Sequence, residues 1–368
     1  MSFIKLFLLL ISNIGYYTFL ERKTKIEKLF IPICLVAVQI VILFIAGLFN
    51  ILLVTSIIIY IIGILLFIKY IYLLIKKEVT FKIDYNYILF FLFIFLLYFL
   101  VKDMWFTHYD DFSHWALVVK TMLINNRIPN ALDTVIDFKS YPLGSSLFIY
   151  YFSKMVGNTE GILMLANNYI ILCALLPLTK YIKNKISYIF FLVFINFIFC
   201  LNIRINSLLV DTLLPCFAFA TLFFIHSEKE NSFYLLYSLA LLSALILIKN
   251  SAIYFIVIDI IYIIYIMFKK KDFKNYKYYF TILSPIITIV LWKFHLYLEF
   301  SGASFSKHSV SLANYFYNMN GKTKSDIILI INKIIEYILH NKELYLVIIT
   351  MLITSIFLYF LKSILSLK

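Results

Sequence analysis

Residues 51–75 read ILLVTSIIIYIIGILLFIKYIYLLI, a run in which Lys69 is the only charge. A helix needs about 20 apolar residues to cross the hydrocarbon core of a bilayer, and this run exceeds that length. It is continuous and does not alternate between apolar and polar, so it reads as a helix and not as a barrel strand. Basic residues close it, from Lys76 to Lys82. The same grammar extends in both directions. Spans fall near 3–20, 29–48, 51–75, 86–101, 161–180, 187–204, 208–226, 232–249, 251–268 and 279–298, with a hydrophobic stretch near 327–341 and a last span near 343–361. The expected fold is all-α and polytopic, with about 11–13 membrane helices.

Composition agrees. Hydrophobic residues make up 63% and charged residues 14%, against roughly 25% charged in soluble domains, and the mean hydropathy is +0.96. The net charge of +14 does not point to nucleic acid, because Lys and Arg gather in short breaks between spans: Glu21 to Lys28, Lys76 to Lys82, Lys180 to Lys185 and Lys269 to Lys277. That is the positive-inside pattern of a multi-pass plasma-membrane protein, and it places these breaks in the cytoplasm. The first apolar run has no small-residue cleavage site after it and reads as a span. Cys34, Cys173, Cys200 and Cys216 lie inside apolar runs with no close spacing, and read as small hydrophobes. No internal repeat is visible. One membrane domain is expected over 1–368: N-terminal spans to 101, an external loop over 102–142, core spans over 143–298, a second external loop over 299–326, and a C-terminal hydrophobic segment with the last span over 327–368. Residues 143–156 are apolar but too short to span. They are expected to dip partway into the membrane or lie along its surface, forming a wall of a site.

The external loop carries His108-Tyr109-Asp110-Asp111-Phe112-Ser113-His114-Trp115, an ionisable cluster that is expensive near lipid and tolerated mainly for function. From Phe112 onward the spacing predicts an amphipathic helix. Phe112, Trp115, Ala116, Val119, Met122 and Leu123 share its apolar face, and Ser113, His114, Lys120 and Thr121 lie opposite. Such a helix rests on the membrane surface with Trp115 at headgroup level. An Asp here caps the helix, serves as a general base toward a hydroxyl, or, with His108 beside Asp110, binds a divalent Mg or Mn. Other polar residues reach the same face: Arg204 and Asp211 around an external turn, Lys249 and Asn250 at the end of a span, and Lys307 and His308 in the second loop. External cations run against positive-inside statistics and suit an anion such as phosphate.

The ordered set resembles the GT-C type of membrane glycosyltransferase, which includes the protein-mannosyltransferase-like and aminoarabinose-transferase-like enzymes. In that family an acidic pair opens the first external loop, as Asp110-Asp111-Phe112-Ser113-His114-Trp115-Ala116 does here. A Pro-Leu segment and a short helix ending in Gly follow, matched by Tyr141-Pro142-Leu143-Gly144 through Gly157. Then come a basic break (Lys180 to Lys185), a hairpin with an external Asp (Asp211), and a span ending in Lys plus a small residue (Leu247-Ile248-Lys249-Asn250-Ser251). The match runs from about residue 86 to 270. It departs in having one proline where the family has two, and Ser140 where the family has a lysine, with Lys139 one step earlier. The resemblance implies transfer of a sugar from a polyprenyl-phosphate donor on the external face. Asp111 would be the base and Asp110 its neighbour. Lys249, Arg204, Asp211, Lys139, Tyr141, His114 and His308 would bind substrate and phosphate. Abundant Ile, Asn and Lys suit an AT-rich bacterial genome, so the acceptor would be an envelope polysaccharide, teichoic acid or protein. The rivals are a polysaccharide polymerase or ligase, expected to carry more external arginines, and a lipid-linked sugar flippase or other transporter, expected to carry charges or broken helices at mid-membrane.

Overall fold

Glycine decides how the first helices meet. The structure, a computed structural model, describes residues 2–24, 26–80, 85–181, 205–227, 233–300, 320–340 and the single positions 345, 349 and 353. Helix α1 (Ser2–Lys23) and helix α3 (Leu52–Ile75) cross with Gly15 against Gly63, where a Cβ on either would overlap the other helix. Small residues let membrane helices approach until backbone and side-chain bonds form between them. Ser12 Oγ accordingly donates to the Tyr60 carbonyl at 3.0 Å, and the Tyr16 hydroxyl donates to the Ile59 carbonyl at 2.7 Å.

Helix α2 (Ile31–Leu48) and helix α7 (Glu160–Leu175) form the centre. Both are apolar on nearly every side and both are buried along most of their length, as such helices must be. Around them stand α4 (Tyr85–Val101), α8 (Val210–Ser227), α9 (Phe233–Ile246), α10 (Ala252–Lys270) and α11 (Tyr276–Phe300). Hydroxyls join α9 to α11: Thr281 Oγ1 donates to the Leu235 carbonyl at 2.9 Å, and Ser284 Oγ to the Leu239 carbonyl at 3.2 Å. On α10 the exposed apolar and aromatic side chains are Ile253, Tyr254, Val257, Ile258, Ile261, Tyr265 and Phe268, while Ile256, Asp259 and Ile263 turn inward. An apolar stripe this long facing outward fits lipid and not water.

Among the described residues seven helices are long and apolar enough to cross a membrane: α1, α3, α8, α10 and α11, and α2 and α7 with the short turns that adjoin them. No strand occurs among the described residues. The chain is an all-α polytopic membrane protein. The expected spans near 187–204 and 343–361, and Cys200, lie outside the described residues. Cys34, Cys173 and Cys216 are free thiols. By internal contacts the chain divides into one unit of residues 1–306 and a second of residues 307–368, in which α12 (Lys324–His340) is an exposed helix begun by Thr323, whose Oγ1 donates to Asp326 Oδ2 at 2.7 Å.

One expectation is narrowed and another changes. Of the two alternatives for residues 143–156, lying along a surface is set aside: helix α6 (Gly144–Val156) is buried over all but Lys154 and Met155 and packs against α1, α2 and α7. At about 1.5 Å per residue it is too short to span, and protein encloses it, as the bilayer requires of such a segment. Helix α5 (Ala116–Asn125) has the expected apolar face, but Ala116, Val119, Met122 and Leu123 are covered by protein, with α6 among the neighbours. Trp115 is 5% exposed and is covered by protein, whereas Phe112 points outward at 57%. Periodicity shows that a face is covered, not whether lipid or protein covers it.

Candidate functional site

The loop after α4 is fixed at both ends by Glu160, the first residue of α7. Its Oε2 accepts the Phe106 amide at 2.7 Å and its Oε1 accepts Lys120 Nζ at 2.6 Å. Gly161 makes this docking tight, since a Cβ there would overlap the Val101 carbonyl. Two helical turns into α7, Asn168 Nδ2 donates to the Ile205 carbonyl at 2.8 Å and Asn167 Nδ2 to the Ser207 carbonyl at 3.3 Å. Helix α7 thus holds two loops side by side, one leading to Asp111 and one to Leu208.

Those loops meet at a carboxylate. The Leu208 amide donates to Asp111 Oδ1 at 2.9 Å, while Asp111 Oδ2 is buried and has no partner among the described residues. Asp111 is 0% exposed. Burial pushes its carboxyl up to about 6, against the smaller opposing effect of the Leu208 amide. Asp111 opens a π-helical turn, Asp111–Trp115, that leads into α5. Single π turns carry an extra residue, are uncommon, and recur at functional sites. Asp111 and His114, three positions apart on this turn, both point inward.

His114 is 3% exposed and boxed by aromatic rings: Trp115 at 4.7 Å, Tyr141 at 5.0 Å and Phe138 at 5.5 Å between centroids. It was expected on the polar face. Burial lowers its pKa to about 4, so the ring is neutral at physiological pH, and its Nδ1 has no partner among the described residues. Asp110 is not a helix cap. Its backbone is already helical, and its side chain makes no capping bond. Asp110 Oδ2 stands 3.8 Å from His108 Nδ1. Among the described residues no group of three or more His, Cys, Asp or Glu side chains converges. The pair supplies two donors and no third, and no step is routed through a metal.

The remaining candidates connect to this point in sequence. Tyr141 packs on His114 and Trp115. Three residues on, the Gly144 amide donates to the Leu247 carbonyl at 2.6 Å, and a Cβ on Gly144 would lie 2.8 Å from that carbonyl group. Two residues beyond Leu247, Lys249 Nζ binds Asp211 Oδ1 at 2.7 Å. Asp211 lies in the first turn of α8, three residues after Leu208, which returns to Asp111. Four contacts, Asp111 with Leu208, His114 with Tyr141, Gly144 with Leu247 and Lys249 with Asp211, thus link chain segments whose members lie two or three residues apart in sequence. Lys139 is directed elsewhere, 5.6 Å from the centre of the Phe300 ring. Arg204 and His308 lie outside the described residues.

Sequence reasoning missed Glu160, Asn167 and Asn168, which build the site without facing it. The adjacent Asn167-Asn168 pair inside an apolar run was the available signal. It also missed Asp259, 2% exposed midway along α10, whose Oδ2 has no partner among the described residues. An ionisable residue at mid-span, a feature expected of the transporter rival, is therefore present. Prolines interrupt α8 at Pro215 and α11 at Pro285. No protein-family model, curated protein or solved structure matches the chain.

Proposed function

We propose that the chain is a plasma-membrane glycosyltransferase that moves a sugar from a polyprenyl-phosphate donor to an envelope acceptor on the external face. The observation that carries the reading is a set of four contacts, Leu208 to Asp111, His114 to Tyr141, Gly144 to Leu247 and Lys249 to Asp211, which links the chain segments that hold the candidate residues. Asp111 is the base. A carboxyl near 6 is largely ionised at neutral pH yet basic enough to take a proton. Its free Oδ2 accepts the proton of the acceptor hydroxyl as that oxygen attacks the anomeric carbon from the face opposite the phosphate. The anomeric carbon–oxygen bond breaks, its electron pair leaves with the lipid phosphate, and the configuration inverts. Lys249 neutralises that phosphate, exchanging Asp211 for it. Because Asp111 is enclosed, the π turn must open for the acceptor to enter.

A transport reading has one observation in its favour: buried Asp259 within α10, since charges at that depth mark ion and proton paths. One assay separates the two. Purified protein is given polyprenyl-phosphate sugars with and without acceptor, and sugar release is scored for wild type, Asp111→Asn and Lys249→Ala. Transfer that falls at least about 100-fold in Asp111→Asn and about 10-fold in Lys249→Ala supports the transferase. Full activity in Asp111→Asn removes the base. Absence of turnover together with uptake into vesicles that depends on Asp259 establishes the rival.

A further inference from the structure

A cavity of about 440 Å³ opens at the other end of α4, beside the C-terminus of α1, within the size range of small-molecule sites. Its walls are apolar and aromatic. Tyr17 and Tyr87 meet there with ring centroids 4.7 Å apart, and Ile31, Leu35 and Phe91 continue the lining. Its mouth is cationic. Lys28 Nζ is paired with Glu21 at 2.5 Å. Arg22 Nε donates to the Thr18 carbonyl at 3.0 Å and its guanidinium lies 5.9 Å from the Tyr70 ring centre, with no acidic partner among the described residues. The two remaining guanidinium nitrogens form a fork suited to a carboxylate or phosphate.

The floor adds an independent requirement. Asn13 is 8% exposed and lines the cavity. Its Nδ2 donates to the Tyr169 hydroxyl at 3.0 Å, while its buried Oδ1 has no partner among the described residues. A buried acceptor left unmatched is costly, and because Asn13 lines the cavity, a donor entering there can satisfy it once the amide turns toward it. Asn13 and Arg22 are nine residues apart on α1, about 14 Å along the axis.

We infer that this cavity binds an anionic amphiphile: its carboxylate or phosphate head on the Arg22 guanidinium, its hydrocarbon body along α1, and a hydroxyl or amide N–H reaching Asn13 Oδ1. The three requirements exclude a bare anion, which leaves the apolar walls empty, and a plain fatty chain, which leaves Asn13 unmatched. The site is separate from the one proposed for sugar transfer and does not depend on it.

The test uses the full chain in non-ionic detergent, with binding read by native mass spectrometry and thermal unfolding. The probes are a mid-chain hydroxy fatty acid, the same acid without its hydroxyl, the methyl ester of the hydroxy acid, and inorganic phosphate. The hydroxy acid is expected to bind at least about 10-fold more tightly than each of the others. Arg22→Gln should make acid and ester bind alike, and Asn13→Leu should make the hydroxylated and plain acids bind alike. Equal binding of acid and ester by the wild type overturns the inference, as does an acid preference that survives Arg22→Gln. Phosphate binding as tight as the hydroxy acid also overturns it, by showing a bare anion site. Arg22 is exposed at the mouth, so its variant remains informative even where a leucine at Asn13 prevents folding.

Discussion

The two ends of helix α4 handle polarity in opposite ways. Beyond its C-terminus the polar groups bind one another. Glu160 ties down Phe106 and Lys120, Leu208 ties Asp111, and Asp211 holds Lys249. Beside its N-terminus the polar groups surround a space. Tyr87 caps the Lys28 carbonyl at 2.6 Å, and Arg22 and Asn13 keep donors and an acceptor unused around the cavity. The first end stores ionisable groups under cover and needs motion to act. The second already has room for a ligand. The difference teaches that an unpaired buried atom means different things by setting. Asp111 Oδ2 is enclosed by packed protein, so its value lies in reactivity. Asn13 belongs to a cavity wall, so the value of its Oδ1 lies in recognition.

The largest test of this contrast is Asp111→Asn. Turnover is expected to fall by at least about 100-fold while the melting temperature at pH 7 rises. An ionised carboxylate whose folded pKa is raised costs the fold roughly 3 kcal/mol there. The gain stays smaller than that, because the new amide brings a donor with no mate. A melting temperature that drops would mean that Asp111 is a structural tie like Glu160.

Titration sharpens the same point. The Asp111 carboxyl is raised to about 6, so the folded state keeps its proton longer than the unfolded chain, and stability falls as pH rises from about 4 to 6. His114 is lowered to about 4, so its contribution runs the other way, and stability falls as pH drops from 6.5 toward 4. The two slopes oppose each other, and the wild-type curve is expected to be shallow across that window. His114→Phe should uncover the falling slope, and Asp111→Asn the rising one, each up to about 1.4 kcal/mol per pH unit. Thermal unfolding across pH 4 to 7 measures both, and identical curves for the three proteins would refute the assignment.

Glu160→Gln removes the charge from two short bonds and is expected to cost about 2 kcal/mol of stability, with protection of the Phe106 amide lost in hydrogen exchange. Tyr87→Phe, at the open end, deletes one bond and should cost about 1 kcal/mol. Comparable losses from the two would erase the distinction between a tied end and an open one.

Much of this architecture is legible in the sequence. The run at 51–75 and its relatives give helices, because length and uniform apolarity leave the backbone one way to satisfy itself in lipid. The order Asp111, Tyr141, Asp211, Lys249 was readable as a set, and the structure pairs Asp211 with Lys249 and packs Tyr141 on His114. Their actual partners were not readable. Glu160 looks locally like an ordinary first-turn acid, and only the tertiary approach of Phe106 and Lys120 gives it a task. Trp115 was misplaced because an apolar face satisfied by protein has the same periodicity as one satisfied by lipid. Lys139 illustrates a further limit, since nothing local says that its ammonium goes to the Phe300 ring.

The bond between the Gly144 amide and the Leu247 carbonyl also carries a schedule. Helix α6 is too short to be released into lipid as a span, and its leading amide is satisfied by a residue about 100 positions later in the chain. At ~5–20 residues per second, a ribosome needs ~5–20 s to deliver that partner. During the interval the half-length helix must be sheltered by α1, α2 and α3, which are already made, or by the insertion machinery. A synthesis pause placed between the two residues would therefore prolong the most vulnerable stage of this protein's assembly.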